Sequence, residues 1–208
     1  MRVANTTGHF AQYLTPSSSN YVRVVRQFSR SIYKEWLLSA DLLRPIGTSA
    51  WRKGNIATRD DSITLLAGAN CAGRVSVVYC DPPYTDDQYS RYYHVWETLV
   101  LYDYPELTGK GLYRPNRFAT GFSQIGRVEE AFKELAARTA ALGADLVLSY
   151  PSNGLLHAAG GDPLDILRAA FPRAKMALEL RHSHSTLGAS KGPAKAAVAE
   201  RIYVAAAS

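Results

Sequence analysis

Ten residues, Val75 to Tyr84, concentrate the chemistry of this chain: Val-Ser-Val-Val-Tyr-Cys-Asp-Pro-Pro-Tyr. The apolar run Val75–Cys80 reads as a strand buried on both faces, as in parallel sheets. Pro82 and Pro83 then forbid both a helix and further ladder pairing. A carboxylate (Asp81), a backbone carbonyl held by proline (Pro82) and an aromatic ring (Tyr84) therefore stand at the carboxyl end of a strand, where open α/β sheets bind ligands. Such a trio suits attack by an exocyclic amine of a nucleobase. An aromatic amine is a weak nucleophile because its lone pair is delocalised. Two acceptors that take its N–H groups favour a tetrahedral nitrogen with a free lone pair. A tyrosine face stacks on a base taken out of the helix. The plain alternative is a Pro-Pro turn in which the acid caps the next segment.

The flanking residues must position this trio. A helix is expected from Ser19 or Asn20 to about Leu43, ended by Pro45 and Gly47. Val25, Phe28, Ile32 and Trp36 form its apolar face. Arg23, Arg26, Arg30 and Lys34 form a basic stripe that suits phosphates as well as it suits water. Asn55–Leu66 reads as a short strand followed by a short helical stretch. After Tyr84 comes a tyrosine-crowded loop. There Tyr89 is placed to stack on a base and Arg91 to hold a phosphate, although tyrosines line pockets of every kind. His94–Tyr102 reads as helix. The stretch 103–126 lacks periodicity and interleaves aromatic with basic residues, so it is a candidate DNA-contact insertion.

Further on, Val128–Leu142 is an amphipathic helix closed by Gly143, and Asp145–Tyr150 a second buried strand running into Pro151-Ser152-Asn153-Gly154. Leu164–Phe171 is a helix behind Asp162-Pro163. Ala174–Leu180 and Arg201–Ala206 read as two final strands, close enough in sequence to form an antiparallel pair. Between them lies a polar loop with Lys191, suited to substrate phosphates or to plain solvation. His182 and His184 have no third ligand at a telling spacing, so no metal is expected.

The 208 residues suffice for one α/β domain. A net charge of +6 fits a polyanionic partner. Two isolated cysteines, Cys71 and Cys80, point to a reducing compartment. With no signal peptide in Met1–Thr15 and no apolar run of ~20 residues, a cytoplasmic protein without membrane association is expected.

Asn55–Leu66, Val78–Tyr93 and Leu146–Gly154 together resemble the Dam-like adenine-specific DNA methyltransferases, with Asp-Pro-Pro-Tyr the most specific part. The resemblance implies methyl transfer from S-adenosylmethionine to the N(6) amino group of adenine in DNA. Asp81 and the Pro82 carbonyl would bind the amine, and Tyr84 would stack on the base. The cofactor would meet Asp61, Ser62 and Asp81; substrate would also meet Tyr89, Arg91, Ser152, Asn153 and Lys191. The family's Phe-x-Gly-x-Gly loop has no match before Asn55, where Gly8 follows no strand. The fold expected is therefore an α/β, Rossmann-like methyltransferase sheet, mostly parallel with an antiparallel C-terminal edge pair and incomplete at the N-terminus. The whole chain would be one partial domain, completed by an upstream segment or a second chain. The rival reading is an inactive nucleic-acid-binding relative. Related enzymes acting on RNA or on cytosine amino groups share similar motifs.

Overall fold

The computed structural model describes residues 17–68, 71, 73–109, 112–184 and 196–207. The described residues fall into two compact units. One comprises those between 17 and 59 and between 95 and 115. The other comprises those from 60 to 94, from 116 to 184 and from 196 to 207.

In the first unit the expected long helix is two, α1 (Tyr21–Phe28) and α2 (Ile32–Leu42). The serines between them explain the break. Ser29 turns its hydroxyl back onto the Val25 carbonyl at 2.7 Å, and Ser31, in extended backbone, caps α2 by accepting from the Lys34 N–H at 3.2 Å. Val25 and Trp36, read as part of an apolar face, are exposed. A four-residue helix, α3 (Ser49–Arg52), follows, with Thr48 as its cap. Asn55–Arg59, expected to begin a strand, pairs with no strand among the described residues.

The second unit holds a four-stranded sheet of β1 (Val77–Cys80), β2 (Asp145–Pro151), β3 (Lys175–His184) and β4 (Ala196–Ala205), in the order β1-β2-β4-β3. Only β1 and β2 run parallel; β2–β4 and β4–β3 are antiparallel. The sheet is mixed rather than mostly parallel, because the β3–β4 hairpin inserts β4 directly against β2. The C-terminal pair is thus antiparallel as expected, but only β3 is an edge.

One face of the sheet carries the core. The alternation of β2 turns Leu146, Leu148 and Tyr150 inward, where they are fully buried with Tyr203 and Ala205 of β4. Over them lies α6 (Val128–Ala141), which contributes Val128, Phe132 and Leu135, and α8 (Pro163–Ala170), which contributes Ile166 and Leu167. Gly143 ends the α6 turn at φ +67°, and Asp162 caps α8 by accepting from the Leu164 N–H at 2.7 Å. Phe132 meets Tyr150 edge-on at 5.0 Å between centroids.

The other face differs from expectation. The Val75–Cys80 run reads as a strand buried on both faces, yet in β1 Val77 is 55% and Tyr79 63% exposed, and only Val78 and Cys80 pack on the core. Among the described residues β1 pairs on one side only, with β2, so it is the second edge of the sheet. Its outer N–H and C=O groups lie beside exposed apolar side chains, a template for strand addition. Light scattering over a concentration series is expected to show self-association of the 208-residue chain, and Val77→Lys to reduce it; equal association of both proteins would exclude this edge as the cause.

Candidate active site

Two loops meet at the carboxyl ends of the parallel strands. The register aligns Cys80 with Leu148, so Asp81 and Ser149 follow side by side. The first loop is Asp81-Pro82-Pro83-Tyr84. Pro82 is buried, Asp81 is solvent-accessible and Tyr84 is 37% exposed. The second loop, Ser152-Asn153-Gly154, leads into a single helical turn, α7 (Leu155–Ala158). The Leu155 N–H donates to the Tyr84 carbonyl at 2.8 Å and ties the two loops together.

The second loop is itself braced. The Ser152 N–H donates to the Ala199 carbonyl at 2.8 Å, and the Ser152 hydroxyl accepts from the Ala199 N–H at 3.1 Å. The buried Tyr150 hydroxyl accepts from the Leu156 N–H at 2.9 Å. Its ring occupies the space that a side chain on Gly154 would need. A Cβ there would lie 2.7 Å from the hydroxyl oxygen and closer still to the ring carbons.

The segment after Tyr84 is stitched to 118–123. Gln88 accepts from the Thr120 N–H at 2.9 Å and donates to the Ser123 carbonyl at 3.2 Å. The Ser90 hydroxyl donates to the Phe118 carbonyl at 2.8 Å. These contacts start α5 (Ser90–Leu101), four residues earlier than its sequence suggests. They also divide the stretch 103–126: its later part braces the tyrosine loop, while Arg114 pairs with Asp103 at 2.5 Å in the other unit.

The charges of the loop are partly committed. Arg91, expected to hold a phosphate, forms an ion pair with Asp87, whose other oxygen accepts from the Tyr92 hydroxyl at 2.6 Å. Tyr89 is half-buried, edge-on to Tyr92 at 5.9 Å. Burial first, then the neighbouring Tyr84 and Asp81, push the Tyr89 phenol up to about 12. Tyr84, Tyr89 and Asp81 are thus gathered in one place. Partial burial raises the Asp81 carboxyl above the usual carboxylate range, and the charge of Glu200 adds to it. Burial, with Asp81 next door, also pushes the Cys80 thiol up to about 12, which leaves it protonated and inert at neutral pH.

The remaining expected residues are distributed differently. Asp61 caps α4 (Ser62–Ala67), its Oδ1 accepting from the Thr64 N–H at 2.9 Å and hydroxyl at 3.1 Å; Ser62 opens that helix, and both are exposed. No hydrogen bond joins Asp61 to Asp81. Asn153 is exposed on its turn, whereas Ser152 serves β4 as described. Lys191 and the side chains of His182 and His184 lie outside the described residues. Sequence reasoning missed Glu200, Ser149, Gln88 and Gly154. Only Gly154 carried a local signal, a glycine directly behind a strand-ending Pro-Ser-Asn.

Residues 51–141 match the family of D12 class N6 adenine-specific DNA methyltransferases. Among curated proteins the chain is similar to the type II methyltransferase M.FokI of Planomicrobium okeanokoites, 41% identical over 81 residues, covering 38% of this chain and 12% of that protein. It is also similar to the modification methylase LlaI of Lactococcus lactis subsp. lactis, 44% identical over 59 residues, covering 28% of this chain and 10% of that one. The chain thus matches only about a tenth of the length of these relatives. No solved structure matches it. The segment that matches the D12 model contains Asp-Pro-Pro-Tyr, and the resemblance read from the sequence agrees with it.

The bracing of the two loops has a measurable consequence. Gly154→Ala is expected to lower stability by about 1–3 kcal/mol, the scale of an overpacked core, because Tyr150 must move. Thermal unfolding followed by circular dichroism reads this, and an unchanged midpoint would show that the Tyr150–Gly154 contact is not tight.

Proposed function

We propose that this chain carries the catalytic loop of a DNA adenine methyltransferase. The observation that supports it best is the position of Asp-Pro-Pro-Tyr. It lies at the carboxyl end of a parallel strand, its Tyr84 carbonyl is anchored by Leu155, and the Asp81 carboxylate and Tyr84 ring stay accessible. The D12 match and the names of the relatives, a type II methyltransferase and a modification methylase, point the same way.

In this reading Asp81 and the Pro82 carbonyl accept the two N–H groups of an adenine amino group and leave its lone pair in line for attack. Tyr84 stacks on the base, which leaves the duplex at a cost of a few kcal/mol. The rate comes from positioning and from oriented acceptors rather than from a covalent enzyme intermediate. When bound, S-adenosylmethionine supplies the electrophilic methyl group. The described residues fit that group in part. Asp81 offers a negative charge to a sulfonium, and Asp61 keeps Oδ2 for a hydroxyl, since only Oδ1 is used in capping α4. The net charge of +6 suits DNA. Among the described residues no helix is long and apolar enough to cross a membrane. A segment or second chain that pairs with the open edge of β1 belongs to the same proposal.

Labelled methyl transfer from S-adenosylmethionine to adenine-containing DNA tests this, both on this chain and on one extended upstream in the same reading frame. In whichever form is active, Asp81→Ala is expected to lower the rate by about 10²–10³-fold while the fold persists, because only an acceptor is lost. Near-wild-type turnover would remove Asp81 from the mechanism. Tyr84→Ala is expected to weaken binding of DNA with an extruded or mismatched adenine by about 1–3 kcal/mol, and Tyr84→Phe to keep most of the affinity. Equal losses in titrations of the two variants would assign the effect to the hydroxyl instead of the ring.

A further inference from the structure

The sheet places a second acidic residue beside the Asp-Pro-Pro-Tyr loop. Glu200 lies on β4 opposite Pro151, at the end of the sheet where β2 runs out. Ser149, directly opposite Ile202, shares a face with Ile202 and Glu200, because residues two apart on a strand point the same way. The Ser149 hydroxyl donates to Glu200 Oε1 at 3.0 Å, and Ser149 itself is only 7% exposed. On its other side Ser149 follows Leu148 as Asp81 follows Cys80 in the parallel register. Ser149 on β2 therefore lies between Glu200 on β4 and Asp81, the residue that follows β1. The flanking Arg201 does not neutralise the two carboxyls. It points to the opposite face, level with Tyr150, and pairs with Glu179 at 2.9 Å.

We propose that Glu200 is a positioning residue of the candidate active site, held by Ser149 so that its charge acts on Asp81 and strengthens Asp81 as an acceptor for the amino group. This rests on the reading of Asp81 given above. Two neighbouring carboxylates each make the other a better proton acceptor. The raised proton affinity of Asp81, from burial first and Glu200 second, agrees with this arrangement. The other titratable groups that face Asp81 among the described residues are Cys80 behind it on β1 and Tyr89 with Tyr84 from the tyrosine loop. Cys80 and Tyr89 stay protonated at neutral pH, so the second carboxyl of the set is Glu200. A stronger acceptor holds the amine N–H more tightly as positive charge develops on nitrogen. A second negative charge also favours a cationic methyl donor.

The test follows the Asp81 carboxyl carbon by NMR through an acid titration of the full 208-residue chain. The wild type is compared with Glu200→Gln, Glu200→Asp and Ser149→Ala, each first shown to unfold cooperatively. Glu200→Gln keeps an acceptor for Ser149 but removes the charge, so the Asp81 midpoint should fall. Glu200→Asp should keep it raised, and Ser149→Ala should lower it by less than Glu200→Gln. In an active form, ionised Asp81 is required, so activity is lost as pH falls through its raised pKa. Glu200→Gln should therefore move the acid limb of the pH–rate profile to lower pH. An unchanged Asp81 midpoint in Glu200→Gln would overturn the proposal, as would equal falls in the Gln and Asp variants. Should Glu200→Gln not fold, an Asp81 midpoint unmoved by Ser149→Ala would overturn it. A wild type that transfers no methyl group while its Asp81 midpoint still falls on Glu200→Gln would defeat the proposed function and uphold the coupling.

Discussion

The parallel pairing of Val77–Cys80 with Asp145–Leu148 is the constraint on which the rest of the site depends. Two parallel strands point their carboxyl ends the same way, so the loops that leave them emerge toward one edge of the sheet, although β2 continues past the level of Cys80 to Pro151. Here those loops are Asp-Pro-Pro-Tyr and Ser-Asn-Gly, and a backbone hydrogen bond from Leu155 to Tyr84 fastens them together. Prolines at 82 and 83 limit how the first loop can relax. The buried Tyr150 ring, packed on Phe132 and lying against Gly154, sets the height of the second. Positioning of this kind matters most for a reaction in which the protein contributes acceptors and a stacking surface rather than a nucleophile of its own.

The antiparallel insertion of β4 beside β2 has a chemical as well as a topological effect. A purely parallel continuation would place another strand's carboxyl end next to β2. The hairpin instead brings the early part of β4, with Ala199 and Glu200, to that level. Ala199 then exchanges hydrogen bonds with Ser152, and Glu200 receives one from Ser149. The same strand stiffens the second loop and sets a charge near the first.

The sheet is asymmetric in its burial. The face under α6 and α8 is closed, with Leu146, Leu148 and Tyr150 of β2 fully buried, whereas Val77 and Tyr79 of β1 and Leu178 and Leu180 of β3 are exposed on the other. In the first unit Trp36, Leu37 and Leu38 of α2 are exposed as well. Large apolar side chains left open in this number mark surfaces suited to further contacts.

The sequence alone determined the elements whose signals are local. The Val128–Leu142 period, the Asp162-Pro163 start of a helix and the apolar Asp145–Tyr150 run each specify their own conformation, and each was found within a residue or two of its expected place. Asp81, Pro82 and Tyr84 stand out in the sequence for the same reason: a carboxylate, two rigid prolines and a ring are contiguous, so the chemistry proposed for them needs no long-range contact to be suggested. The helix break at Ser29–Ser31 was also local in origin, but serine hydroxyls compete with a helix they also tolerate, and periodicity hides the outcome. Only the tertiary structure decided the rest. Whether β1 is central or an edge depends on which strand pairs with it. Whether Arg91 faces a phosphate or Asp87 depends on how the loop closes. Glu200 joins Asp81 only because residues 51 positions apart, Ser149 and Glu200, meet across an antiparallel ladder whose register no local pattern encodes.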